Sequence, residues 1–507
     1  MASYYKAAAL TLSVVTGVTT LTGTSGVAGA SGASTSRAPT GTFAPALDWK
    51  ACAKPGGPAT QECATLEVPL DYRDPGGAKA SIAVSRVRSE DPGERRGTLL
   101  IVPGGPGSSG VQRLTQKAAA LRQQVGDAYD LVSLDPRGVG GSTRAECGLP
   151  EADRYLTSMR TWPDADGSIA EGTERSRRVA ELCARNGGAV LRSFSSVNEA
   201  RDIDRLRQAL GERKLSIWST SYGAYVTAVY AQKFPHRTDR LVLDSNGDPD
   251  HRRVARGWLA NNARGVEDRF PDFAAWASDP ARGAALRLGE SPEEVRELVI
   301  DLMARLDRQP KPTAHPKLKL TGAALRQSLL DALYDDARFE GLAKLIKAAH
   351  EPAGVPVLDP VQTVALPDSD VAMTFAVICN DVRWPGAVAE YERAVAADRA
   401  RYPLTGGMPQ NITPCAFWKN DQQEEPTRIT PDGPSNILMI QNRRDPAVPH
   451  SGALEMRRAL GDRARMVTVE RGGHSVYLGT GNACGDRTVT EFLTTGKRPG
   501  RDVSCPG

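Results

Sequence analysis

The sequence predicts an α/β protein in which a mostly parallel β-sheet with helices on both faces is interrupted by a block of helices. Three observations predict it. Short apolar runs bounded by Pro, Gly or Asp alternate with amphipathic stretches of helix length between residues 65 and 243; the alternation stops at about Asp250; and it returns at Ile437.

The first strand-like runs are residues 65–72, 82–87, 98–102 and 131–134. Between and after them come helix-like stretches, 111–124 and 197–210, the second with leucines and isoleucines at helical spacing among arginines and aspartates. A strand over 215–218, a helix over 222–234 and a strand over 241–243 continue the alternation. Long amphipathic segments then take over at 291–306, 321–333, 341–349 and 387–401. Strand 437–441, a helix around 453–460, strand 466–469 and a helix near 488–493 complete the order. One sheet domain with a helical insertion accounts for this: 47–249 as its first part, 250–430 as a helical cap and 431–507 as its return.

Residues 1–30 read as an export signal. A single lysine precedes the apolar, small-residue run 7–21, and Ala28-Gly29-Ala30 offers a small-x-small cleavage pattern. Residues 31–46 then form a linker or short pro-segment. No run reaches the roughly 18 apolar residues of a membrane span, and the first cysteine is Cys52, so neither a membrane nor a lipid anchor is expected. The expectation is a secreted protein, with a monomer favoured.

Composition narrows the partners. Lys and Arg number 64 against 60 Asp and Glu, and no polybasic tract stands out, which argues against nucleic acid and anionic lipid. A chain of 507 residues with 40% hydrophobic content is neither disordered nor a small stapled scaffold. Its eight cysteines are an even number suited to an oxidising compartment. Of 105 possible pairings the favoured one joins sequence neighbours: Cys52 with Cys63, Cys147 with Cys183, Cys379 with Cys415 and Cys484 with Cys505. No CxxC or close Cys/His cluster suggests a zinc site.

Ser219-Thr220-Ser221-Tyr222-Gly223 follows a short strand and opens a helix, the context of a nucleophile elbow around Ser221. Ser219 stands where the usual pattern has glycine. A serine hydroxyl needs a base to remove its proton and a carboxylate to orient that base. His474, in Arg471-Gly472-Gly473-His474-Ser475, and Asp445, in Arg443-Arg444-Asp445-Pro446, both lie just past strands, at carboxyl ends where sites of open α/β sheets form. His236, His251, His315, His350 and His450 lie on predicted helices or in polar loops. Asp244 is the second candidate acid because it too ends a strand. Oxyanion donors are expected from Gly104 or Gly105, in the run Pro103-Gly104-Gly105-Pro106-Gly107, and from Tyr222, the residue after the nucleophile. GxxxxGKS is absent from that loop, which argues against the phosphate-binding loop of that type. This chemistry calls for no metal and no cofactor.

The glycine-proline loop, Asp135-Pro136-Arg137-Gly138, the serine elbow, Cys379-Asn380-Asp381, and Asp445 with His474 together resemble the secreted tripeptidyl-aminopeptidase group of the proline-iminopeptidase-like α/β-hydrolases. The resemblance runs from about Cys52 to Cys505. It implies an α/β-hydrolase core, a helical cap, a Ser/Asp/His triad, release of short peptides from free N-termini, and a characteristic C-terminal segment over about 413–505. An exopeptidase must bind a charged amino terminus, which calls for a carboxylate in the cap. Asp381, beside Cys379, is the candidate, and a capping or surface aspartate is the other reading of it. The substrate is thus expected to be a peptide or a small molecule. The rival readings are an esterase or amidase using the same triad, and a non-catalytic binding protein, against which the full set of site residues argues. Epoxide hydrolases and dehalogenases would place an aspartate at Ser221.

Overall fold

The computed structural model describes residues 47–419 and 424–507. The expected export signal and the linker over 31–46 lie outside the described residues. The main sheet comprises β1 (Lys50–Ala51), β2 (Glu62–Pro69), β3 (Lys79–Val87), β4 (Gly97–Val102), β5 (Tyr129–Leu134), β6 (Leu215–Thr220), β7 (Thr238–Asp244), β8 (Ile437–Arg444), β9 (Ala464–Gly472) and β10 (Val503–Cys505). Their spatial order is β1-β2-β3-β5-β4-β6-β7-β8-β9-β10. From β5 onward every neighbouring pair is parallel, whereas β1, β2 and β3 form an antiparallel edge that joins β5.

The central strands are apolar on both sides because helices cover both faces. The helices of three turns or more are α1 (Gly110–Val125), α2 (Ala170–Asn186), α3 (Ser196–Ala209), α4 (Tyr222–Lys233), α5 (Val254–Ser278), α6 (Pro292–Arg308), α7 (Gly322–Ala332), α8 (Phe339–His350), α9 (Asp368–Asp381), α10 (Val388–Arg401), α11 (His450–Leu460) and α12 (Ala483–Thr495). Alternation along β6 sorts its side chains between two cores. Trp218 packs with Leu114 and Leu121 of α1 and Phe492 of α12. Ile217 packs with Ile203 of α3, Val229 of α4 and Met456 of α11 on the other face.

A separate core joins α5 to α8, with Phe270, Phe273, Leu302, Leu325 and Ile346 among its buried members. These helices fall within the 250–430 block that the sequence marks as helical. Its longest helix, α5, was not among the predicted segments, and it carries Pro271 in its interior. The block is tied back to the sheet domain by Arg444, whose guanidinium meets Asp272 at 2.8 Å. The segment between β5 and α3 packs on the later part of the insertion: the Arg177 guanidinium of α2 lies 4.3 Å from the Phe417 ring centroid, and Thr161 donates to Ile412 O at 2.5 Å. Disulfides join Cys52–Cys63, Cys147–Cys183, Cys379–Cys415 and Cys484–Cys505. No described helix is long and apolar enough to cross a membrane.

Candidate active site

Ser221 sits between the end of β6 and the start of α4 with φ 61° and ψ −124°, a backbone conformation that exposes the hydroxyl on a sharp turn. The turn is tight enough to require Gly223, where a Cβ would lie 2.3 Å from Pro103 O. Ser219 fits without disturbing this arrangement. It is fully buried in β6, and its hydroxyl donates to Val242 O of β7 at 3.0 Å. The departure from glycine is absorbed by a neighbouring strand.

The glycine-proline loop passes directly over the nucleophile. A Cβ on Gly104 would lie 2.8 Å from Ser221 Cβ and 2.9 Å from Thr220 O, so only glycine allows this approach. Tyr222 is the first residue of α4, and its N–H therefore has no acceptor within the helix. Asp135 holds the loop from below, accepting from Ser109 Oγ at 2.6 Å, Val111 N at 3.0 Å and Gly141 N at 2.9 Å. Arg137 pairs side-on with buried Asp202 at 2.7 and 2.8 Å and donates to Pro69 O and Leu70 O. The DPRG run is thus a brace between the antiparallel edge, α3 and the loop.

His474 follows β9. Its Nδ1 lies 3.0 and 2.9 Å from the two carboxylate oxygens of Asp445, which is fully buried and also accepts from Ala447 N and Val448 N. Burial opposes a charge on the imidazole, but the Asp445 charge and hydrogen bond outweigh it and hold the His474 pKa above its ordinary value. An imidazole so placed can act as a base through Nε2. Among the described residues no hydrogen bond joins the Ser221 hydroxyl to His474, a contact that commonly tightens only when substrate binds. Of the two acids weighed from sequence, Asp445 faces the imidazole nitrogen, whereas the Asp244 carboxylate accepts backbone amides.

Asp381 ends α9 and lies in the core, where its Oδ1 accepts from Ser196 N at 2.9 Å and its Oδ2 hydrogen-bonds the Ser196 hydroxyl. Its position is that of a cap on the first turn of α3. The same Ser196 hydroxyl lies 3.1 Å from the Tyr222 hydroxyl, which donates to Glu199 Oε2 at 3.0 Å. Burial pushes Asp381 up to about 6 and Glu199 up to about 8. Glu199 Oε1 is buried without a hydrogen-bond partner, beside a cavity whose lining includes Gly107, Met373 and Tyr222. Sequence reasoning missed Glu199, because a glutamate in an amphipathic helix reads as its solvated face.

The sheet order, the serine turn and the Asp445–His474 pair define an α/β-hydrolase of the serine-hydrolase class. Residues 388–505 match the family described as "TAP-like protein". The chain is 31% identical over 474 residues to a tripeptidyl aminopeptidase of Streptomyces lividans, covering 90% of this chain and 86% of that one. It is 27% identical over 490 residues to the serine protease Hip1 of Mycobacterium tuberculosis, covering 90% and 91%. To a carboxylesterase B of the same species it is 29% identical over 490 residues, covering 91% and 90%. The chain belongs to the tripeptidyl-aminopeptidase family of α/β-hydrolases.

Proposed function

We propose that this protein is a secreted aminopeptidase that releases short peptides, tripeptides in the first instance, from free N-termini. Ser221 attacks the scissile carbonyl while His474 takes its proton, and Asp445 orients and stabilises the imidazolium. The N–H groups of Tyr222 and of Gly104 or Gly105 receive the developing oxyanion. His474 then protonates the leaving amine, and water, activated by the same base, releases the acyl group.

The observation that carries this reading is the placement of Tyr334, from the cap, against His474, with ring centroids 5.0 Å apart. A base roofed in this way suits a chain end better than the middle of a folded protein. The similarity to a tripeptidyl aminopeptidase over 90% of the chain supports the number of residues released. For the charged amino terminus we propose Asp381 together with Glu199, two buried carboxyl groups flanking the Tyr222 hydroxyl. The paired cysteines support export to an oxidising compartment.

A second reading, hydrolysis of small esters, is favoured by the similarity to a carboxylesterase B. The test compares the purified protein and Ser221→Ala on a free tripeptide anilide, the same peptide with a blocked amino group, and a short-chain ester. Cleavage of the free peptide alone, lost in the variant, is the expected result. Ester cleavage without peptide cleavage would move the assignment to the second reading.

A further inference from the structure

Asp244, the acid that does not face the imidazole, occupies the centre of the site's backbone. It ends β7, and its carbonyl accepts Ser221 N at 2.8 Å. Its carboxylate accepts Val476 N at 2.9 Å and Tyr477 N at 2.9 Å, two and three residues beyond His474. The next residue, Ser245, donates its hydroxyl to Asp244 Oδ1 at 3.1 Å and accepts Ser475 N at 3.0 Å. One residue and its neighbour therefore hold both the nucleophile turn and the segment that carries the base.

Backbone strain is concentrated at the same place. The non-glycine residues with positive φ among the described residues are Ser221 (61°), Ser245 (60°), Ser475 (73°) and Leu478 (54°). The first three are joined through Asp244 and Ser245, and the fourth has its carbonyl held by Lys117 Nζ of α1 at 2.6 Å. Such conformations persist only where surrounding contacts over-determine them.

We propose that Asp244 is a positioning residue for His474, holding the 475–477 segment through its carboxylate and favouring the imidazolium form through its negative charge. The charged groups around it fit this role. Asp244 and Asp445 both favour a proton on His474 and Arg113 opposes one, while Asp244 and Asp486 both favour the charge on Lys117 of α1. Both oxygens of Asp244 accept hydrogen bonds, Oδ1 from Ser245 and Val476 and Oδ2 from Val476 and Tyr477, the arrangement that favours the ionised carboxylate, while burial pushes its pKa up to about 6. As proton transfer creates the imidazolium, a second negative charge is already in place, and no group has to move to supply it.

The proposal rests on the triad reading for the role of His474, so the test has a readout that needs no turnover. The six histidines are labelled in the ring, and His474 is titrated by NMR in the native protein and in Asp244→Asn, with its resonance assigned through His474→Gln. The expected result is a His474 titration moved to lower pH in Asp244→Asn, with kcat on the tripeptide anilide reduced about tenfold or more and KM little changed. Ser245→Ala, which keeps the charge and removes the acceptor for Ser475 N, is expected to lower kcat several-fold and leave the titration in place. An unmoved His474 titration in Asp244→Asn would overturn the proposal, even with reduced kcat, because it would leave only a scaffold. If Asp244→Asn does not fold, a native kcat in Ser245→Ala would overturn it. Absence of turnover in the native protein would count against the proposed activity and leave the titration to decide the role of Asp244.

Discussion

The ring of Tyr334, just past the end of α7, meets the imidazole of His474 edge-on, and its backbone carbonyl accepts the His474 amide at 2.9 Å. The cap and the candidate base are therefore held to each other by main chain as well as side chain. Arg269 of α5 secures the arrangement from behind by donating to Leu333 O at 3.1 Å.

Removing the ring in Tyr334→Ala should cost about 0.5–1.5 kcal/mol of aromatic contact and lower kcat roughly two- to tenfold. Steady-state kinetics on the best substrate, beside a thermal melt, checks this. A native kcat would mean that the ring serves only as packing.

Activity should fall as pH drops, because His474 must be neutral to act as a base and its pKa is raised by Asp445. The acid limb of kcat/KM is expected above the ordinary histidine value of about 6.5. In Asp445→Asn the limb should move down and kcat should fall by about three to four orders of magnitude. A pH–rate profile of both proteins measures it, and a limb well below the ordinary value in the native protein would contradict the arrangement.

Ser219→Gly restores the usual elbow residue. It removes the buried hydrogen bond to Val242 O and adds backbone freedom, so a loss of about 1–2 kcal/mol in stability is expected with activity within about twofold of native. Denaturant unfolding together with kcat reads both. A large gain in activity would show that the serine perturbs the turn.

Glu199 gives a pH-dependent stability. Its folded pKa, about 8, is raised above the ordinary value, so its protonated form favours folding fully at low pH and the benefit is lost as pH rises toward 8. Glu199→Gln, which cannot ionise, should match the native melting temperature near pH 4 and exceed it increasingly up to about pH 8. Melting curves across that range would show a constant gap if Glu199 were ionised throughout.

Much of this was legible along the chain. Strands β4 to β9 announce themselves as apolar runs ended by turn residues, because buried parallel strands need apolar side chains on both faces. Ser221, His474 and Asp445 each follow such a run, and that local context alone marked them as candidates. The 25 residues of α5 were less visible, since a proline inside a helix reads as a boundary.

Which acid meets the imidazole was decided only in three dimensions. Asp244 ends a strand and Asp445 directly follows one, so local context nominates both, Asp445 first. β7 and β8 are adjacent in the sheet, so the choice turns on which carboxylate faces Nδ1 and which faces the amides of Val476 and Tyr477. Tyr334 and Glu199 likewise belong to the site through contacts spanning more than 100 residues and through a tyrosine side chain, respectively. The sequence by itself determined the mostly parallel sheet with its helices and the chemical groups, because these follow from local pattern and residue type. Their partners were decided by the tertiary structure, because hydrogen bonds and buried charges depend on distances that the order of residues does not contain.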